Sequence, residues 1–190
     1  MAVKACKQSS FLHIIYNKEK TDTLLKLAYK HLGLEENEAH VFLSSLFLTS
    51  TKTHSANFST SLDKKLKLLT PHFTSSQIVN NPKLLTSYRL ETLSQTIKDL
   101  QSFGVTKIGP EHLCNPKLLW QLSERDWKDY KLIDESVDCA ASYIASISDT
   151  SGPTKQAIYD RLRREVPEYK SLPLKKLKPL ITAYTIYLKQ

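Results

Sequence analysis

The sequence predicts an all-α protein, a short solenoid-like stack of helical repeats with a basic helical segment at its C-terminal end. Glycine is scarce, with 4 residues in 190, whereas sandwiches and barrels need many glycine-rich turns. Apolar residues recur at helical spacing along most of the chain, and no convincing pair of strands interrupts them. A pentapeptide also recurs at a fixed offset, which is typical of repeat architectures. We therefore divide the chain into an N-terminal segment (1–20), a repeat region (21–150) and a basic C-terminal segment (151–190).

The N-terminal segment, residues 1–20, leaves two interpretations open. Its first eighteen residues contain no Asp or Glu, and the apolar run Phe11–Tyr16 lies between lysines and serines. Organelle transit peptides share this acid-poor, amphipathic composition, although the stretch lacks the arginine that they favour. The alternative is a first helix or a disordered end of the chain.

The first part of the repeat region predicts a series of short helices. An apolar face over residues 21–32 indicates a helix that ends at Gly33, a residue suited to the left-handed conformation. The helical pattern resumes over residues 35–47 and gives way to a Ser/Thr-rich loop at 49–61. A short amphipathic helix follows at 62–69.

Helices continue on both sides of Pro82. One opens at Thr74 and ends before Pro82, because the residue preceding a proline avoids the α region. Leu90–Phe103 carries apolar residues at helical spacing, and Gly104 closes that helix. One more turn of helix follows at 110–114, where the next proline cuts it short.

The charge of the chain is unevenly distributed. Lys and Arg number 27 against 19 Asp and Glu, which gives a net charge of +8. Residues 120–150 have three basic and seven acidic side chains, net −4, and two acidic helices are predicted there, at 118–131 and 134–147. Residues 151–190 have nine basic and three acidic side chains, net +6. Residues 151–190 either bind a polyanion or fold back to neutralise residues 120–150, which we call the acidic belt.

The C-terminal segment predicts two helices with a connector between them. The first helix, at 154–166, has a proline near its start, where the missing N–H does no harm. Pro173 and Pro179 bracket a short basic piece that we expect to be a solvent-exposed connector. An apolar, tyrosine-bearing helix at 180–188 ends the chain.

The repeat is the most specific feature of the sequence. Asn81–Leu85 reads Asn-Pro-Lys-Leu-Leu and recurs as Asn115–Leu119, 34 residues later. Each unit is predicted to be a helix, a stop, a short helix and a proline corner whose leucine pair is buried against the neighbouring unit. The residues with these structural roles are Gly33, Pro82, Leu84, Leu85, Gly104, Pro116, Leu118 and Leu119.

The predicted unit consists of a helix that ends in Leu-Gly-hydrophobic, a short helix and a Pro-x-Leu-Leu corner. This unit resembles the repeat of the mitochondrial transcription termination factor (mTERF) family. Leu69–Leu85 and Leu100–Leu119 carry the likeness best, and it covers roughly residues 21–147. The resemblance implies a curved helical stack that binds double-stranded DNA or structured RNA in transcription, its termination or ribosome assembly. It also implies a mitochondrial location, with a nuclear or cytoplasmic location as the alternative.

The predicted nucleic-acid contacts are basic residues near tyrosines, because cations suit phosphates and aromatic rings suit bases. They are Lys64, Lys65, Lys67, Arg161, Arg163, Arg164, Lys170, Lys175, Lys176 and Lys178. A protein–protein adaptor within a larger complex is the alternative function. Such an adaptor would bind its partner through residues 120–147 or through the Tyr/Leu-rich stretch 180–188.

The sequence contains no motif of a known catalytic site. A Gly-x-Gly-x-x-Gly loop, a Walker A loop, a Gly-x-Ser-x-Gly elbow and a His-Glu-x-x-His pair are all missing. His112 and Cys114 lack a second pair of ligands at zinc spacing. We therefore expect no enzymatic activity, no cofactor and no metal site. Three scattered cysteines favour a reducing compartment, and no apolar run approaches the roughly 18 residues of a membrane span.

Overall fold

A computed structural model describes residues 18–49, 53, 55, 57–148 and 151–190. In this part of the chain the regular elements are twelve α-helices and one short 3-10 helix, without a strand, so the all-α prediction is confirmed. The two interpretations of residues 1–20 concern residues that lie mostly outside this description. The chain divides into two compact units, residues 1–94 and 95–190.

The first unit is built from amphipathic helices that bury their apolar faces against one another. In chain order they are α1 (Lys18–Leu32), α2 (Glu36–Thr49), α3 (Phe58–Leu69), α4 (Ser75–Val79), α5 (Lys83–Thr86) and the start of α6 (Leu90–Ser102). The helix α1 packs against α2 and α3, and α5 packs against the same two helices. Its core contains Leu24, Phe42, Leu46, Leu62, Leu66 and Leu84.

The second unit continues from α6 with shorter elements. They are α7 (Pro110–Cys114), α8 (Pro116–Leu119), α9 (Glu124–Asp129), α10 (Cys139–Ser146), α11 (Gly152–Glu165), a 3-10 helix (Tyr169–Ser171) and α12 (Leu174–Tyr187). The helices α10, α11 and α12 pack against one another, and α9 packs against the 3-10 helix. The core contains Trp127, Ile144, Ile158, Leu162, Tyr169 and Leu177.

Local signals at the helix ends are confirmed. Gly33 and Gly104 have φ angles of 62° and 91°, in the left-handed region that glycine adopts without a steric penalty. Thr74 caps α4, because its hydroxyl accepts from the N–H of Gln77 at 3.3 Å while the Gln77 side chain accepts from the N–H of Thr74 at 3.0 Å. This reciprocal pair is a capping box.

The prediction of two long acidic helices, at 118–131 and 134–147, is wrong. Ser123 interrupts the first, because its hydroxyl accepts from the N–H of Asp126 at 3.2 Å and thereby starts α9. That helix ends before Lys131, whose φ is 57°. The second begins only at Cys139, where the Asp138 carboxylate accepts from the N–H of Ala141 at 3.0 Å. Side-chain caps therefore divide the belt into short helices.

The prediction of a solvent-exposed connector between Pro173 and Pro179 is also wrong. Pro179 lies inside α12, which runs without interruption from Leu174 to Tyr187. A proline there removes one backbone hydrogen bond. Burial of Leu174, Leu177 and Ile181, all fully inaccessible to solvent, offsets that loss. The helix α3 likewise extends beyond its predicted start at residue 62, to Phe58.

Candidate nucleic-acid interface

The basic C-terminal residues project from two packed helices. Ile158 and Leu162 of α11 are buried, as are Leu177 and Ile181 of α12. Because each helix turns its apolar face inwards, its charged side chains lie on the surface. Arg163 and Arg164 occupy the last turn of α11, and Lys175 and Lys176 occupy the first turn of α12. All four are exposed.

These four cations have no carboxylate partner among the described residues. Arg164 makes one polar contact, from Nε to the backbone oxygen of Asp160 at 3.3 Å. Arg163 and Arg164 suit the negative end of the α11 dipole, which favours cations. Lys175 and Lys176 lie at the positive end of α12, which disfavours them. The stability of α12 therefore does not explain why Lys175 and Lys176 are lysines.

The other three predicted C-terminal contacts are paired with acids. Arg161 Nε lies 2.6 Å from Glu165 Oε1, and its guanidinium lies 4.5 Å from the centre of the Tyr187 ring. Lys178 Nζ lies 2.9 Å from Asp99 Oδ1. Lys170 Nζ lies 3.6 Å from Asp138. Part of the basic segment is thus neutralised internally, and the other part faces solvent.

The three predicted contacts of the first unit have different surroundings. Lys65 is 6% exposed, and its Nζ donates to the backbone oxygen of Leu85 at 2.6 Å. Lys65 is therefore largely buried and hydrogen-bonded within the protein, and its contact with nucleic acid stays a prediction. Lys67 is exposed and pairs with Asp63 at 2.7 Å. Hydrogen bonds from Lys67 and His31 lower the pKa of the Asp63 carboxyl. Lys64 is exposed.

Part of the acidic belt is used by the fold itself, through Glu124 and Asp138. Glu124 is 1% exposed, and it accepts from Lys128 Nζ and from the N–H of Cys139, both at 2.9 Å. Asp138 accepts from the hydroxyls of Tyr159, at 3.0 Å, and Tyr169. Burial raises the pKa of Asp138, but the Tyr169 hydroxyl, the N–H of Ala141 and the Tyr159 hydroxyl outweigh it, and the net pKa is lowered.

An apolar groove follows the exposed side of α12, with a volume of about 610 Å³. Trp120 forms one wall, and the small side chains of Thr182 and Ala183 lie along the helix. Ile186 lies at one end and is 57% exposed. The groove thus joins residues of both stretches predicted for an adaptor, Trp120 from 120–147 and Thr182, Ala183 and Ile186 from 180–188. Sequence reasoning gave these stretches as alternatives, because they are distant in the chain.

His112, the histidine considered as a metal ligand in the sequence, has a structural role. His112 Nδ1 accepts from the N–H of Gly109 at 2.7 Å at the start of α7, and burial lowers the His112 pKa. Within the described residues no group of three or more His, Cys, Asp or Glu side chains could hold a metal ion. The helices of this part of the chain are too short or too polar to cross a membrane. Comparisons with protein-family models, curated proteins and solved structures found no match.

Proposed function

We propose that this protein is a non-enzymatic nucleic-acid-binding helical-repeat protein, and that it binds duplex DNA or structured RNA through α11 and α12. The observation that carries the proposal is the set of four exposed cations on these helices, Arg163, Arg164, Lys175 and Lys176, which have no carboxylate partner among the described residues. Each such cation can displace a condensed counterion from a phosphate, which favours binding.

The resemblance to the mTERF repeat supports a narrower form of the proposal. The protein then acts in organellar transcription, its termination, or ribosome and RNA metabolism, and it is located in mitochondria. The helical corners that carry the resemblance shape the fold, whereas the cations proposed to contact phosphate lie on the last two helices. Phosphate contacts position a protein on a nucleic acid without reading its sequence.

A charge-removal experiment tests the proposal. The variant Arg163→Gln, Arg164→Gln, Lys175→Gln, Lys176→Gln should bind duplex DNA and stem-loop RNA more weakly, at every sequence tested. On duplex DNA the slope of log affinity against log salt should become shallower by about 0.9 for each phosphate that the variant no longer neutralises. Fluorescence anisotropy at several salt concentrations measures both quantities.

A matched control separates a local site from net charge. Lys26, Lys30, Lys83 and Lys117 are exposed and form no ion pair with the described residues. Their replacement by Gln removes the same four charges and should reduce affinity much less. Unchanged affinity in a folded variant of α11 and α12, or an equal loss in the control, would contradict the proposal.

The groove along α12 favours a protein–protein adaptor as the second candidate function. Its small central side chains allow another helix to approach closely, and Lys175 at its edge complements an acid. The partner would be an amphipathic helix with acidic residues beside Lys175. Ala183→Trp should then abolish the chemical-shift changes caused by an acidic amphipathic peptide and leave nucleic-acid affinity intact. A peptide that binds the variant as well as the wild type would argue against this partner.

A further inference from the structure

The first unit contains a second, separate concave site. A cavity of about 540 Å³ lies beside the N-terminal half of α3, the end of α5 and the start of α6. This volume falls within the range of roughly 300–1,000 Å³ that is usual for small-ligand sites. Its wall is more polar than that of the groove along α12.

The lining of this cavity is positively charged. Lys64, Lys65 and Arg89 contribute three cations, and Glu91 contributes one carboxylate. Lys64 and Arg89 are exposed and can move towards a ligand. The buried Lys65 ammonium is held in place by the Leu85 carbonyl at 2.6 Å, so its positive charge is fixed beside the cavity. Low local dielectric strengthens the attraction of such a charge for an anion.

Neutral donors complete the polar wall. The hydroxyls of Thr60, Ser61 and Ser87 line the cavity and make no hydrogen bond to the described residues. Hydroxyl groups and cations together are the groups that proteins use to bind phosphate oxygens. Tyr88 also belongs to the lining, and an aromatic residue suits a nucleobase.

The arrangement around Arg89 supports an anionic ligand. Arg89 directly precedes α6, whose N-terminal end carries partial positive charge. A guanidinium cannot accept a hydrogen bond, so it cannot cap the free N–H groups of this helix. Glu91 in the first turn of α6 offsets part of this positive charge, and a bound anion would offset more of it.

We propose that this cavity binds the phosphate group of a single nucleotide, either at the end of a nucleic-acid strand or in a free mononucleotide. Its volume of about 540 Å³ suits a single nucleotide rather than a duplex. The proposal does not depend on the cations of α11 and α12, since all residues of the cavity belong to the first unit. Failure of one proposal therefore leaves the other standing.

The test compares two single-stranded oligonucleotides of the same sequence, one with a 5′-phosphate and one with a 5′-hydroxyl, on the full chain. Charge-assisted hydrogen bonds contribute about 1.5–3 kcal/mol, so the phosphorylated strand should bind about tenfold more tightly or better. The variant Lys64→Gln, Arg89→Gln should lose this preference. The control Lys30→Gln, Lys83→Gln removes two charges of the same unit outside the cavity and should keep it.

A competition arm distinguishes the two sources of phosphate. A mononucleotide that displaces the phosphorylated strand, when the matching nucleoside does not, supports the site. Binding of the mononucleotide without any preference for phosphorylated strand ends identifies the free nucleotide as the ligand. The proposal is overturned if the wild type shows neither effect, or if the Lys64 and Arg89 variant retains both.

Discussion

The two copies of Asn-Pro-Lys-Leu-Leu have the same five residues and similar local structure, yet their leucines differ in burial. Each copy forms a one-turn helix opened by its proline, α5 at Lys83–Thr86 and α8 at Pro116–Leu119. Leu84 is 0% exposed and Leu118 is 64% exposed. The final leucines of both copies are buried, Leu119 at 7% exposure. The prediction that all four leucines are buried is therefore wrong at Leu118.

The difference has its origin in the helices around each copy. In the first unit α5 packs against both α2 and α3, which enclose its leucine pair. In the second unit α8 packs against the five-residue α7, and the chain then turns into the short α9. Short neighbours cover one leucine of the pair and leave the other in solvent.

The copies also share a feature that the sequence does not suggest. The carbonyl of the last leucine accepts a hydrogen bond from a buried side chain in both places. The donor is Lys65 Nζ to Leu85 at 2.6 Å in the first copy, and Trp127 Nε1 to Leu119 at 3.2 Å in the second. A buried carbonyl must accept a hydrogen bond, and two different side chains, Lys65 and Trp127, donate it in the two copies.

The largest expected effect compares equivalent leucines. Leu84→Ala should lower the free energy of unfolding by roughly 2–5 kcal/mol, because it leaves a cavity in the core. Leu118→Ala should change it by less than about 0.5 kcal/mol, as surface substitutions usually do. Leu119→Ala should resemble the Leu84 variant. Chemical denaturation followed by circular dichroism measures all three, and equal losses at Leu84 and Leu118 would refute the difference between the copies.

The next effect concerns the two carbonyl donors. Lys65→Met and Trp127→Phe each leave a buried carbonyl without this donor, which should cost about 1–3 kcal/mol of stability. Lys67→Met, at an exposed position of the same helix as Lys65, serves as the control and should change stability by less than about 0.5 kcal/mol. If Lys65→Met is as stable as this control, the hydrogen bond from the Lys65 ammonium group to the Leu85 carbonyl does not stabilise the fold.

The smallest effect is a pH dependence in the second unit. The lowered pKa of Asp138 means that its carboxylate stabilises the folded state above the unfolded pKa, and that this stability is lost as pH falls through the folded pKa. Asp138→Asn should therefore be less stable than the wild type at neutral pH and approach it in acid. Burial opposes the hydrogen bonds, so the difference should be smaller than those above. Parallel stabilities of the two proteins across the acid range would contradict this.

Several details of the candidate site were predictable and others were not. The basic character of residues 151–190 and the surface position of Arg163 and Arg164 follow from composition and helical spacing. The pairing of Lys178 with Asp99 joins residues far apart in the chain, and no local pattern indicates it. Arg89 was not predicted as a site residue, because it is an isolated cation in the sequence. The fold places it with Lys64 in the lining of the same cavity.

The sequence by itself determined the all-α class and the helix ends that depend on neighbouring residues. Gly33 and Gly104 adopt positive φ, and Thr74 caps its helix, because these conformations involve groups only a few positions apart. The tertiary structure alone decided that Pro179 lies within a helix and that Leu118 is exposed. Burial is settled by contacts between residues distant in the chain, and its free energy is large enough to override a local preference.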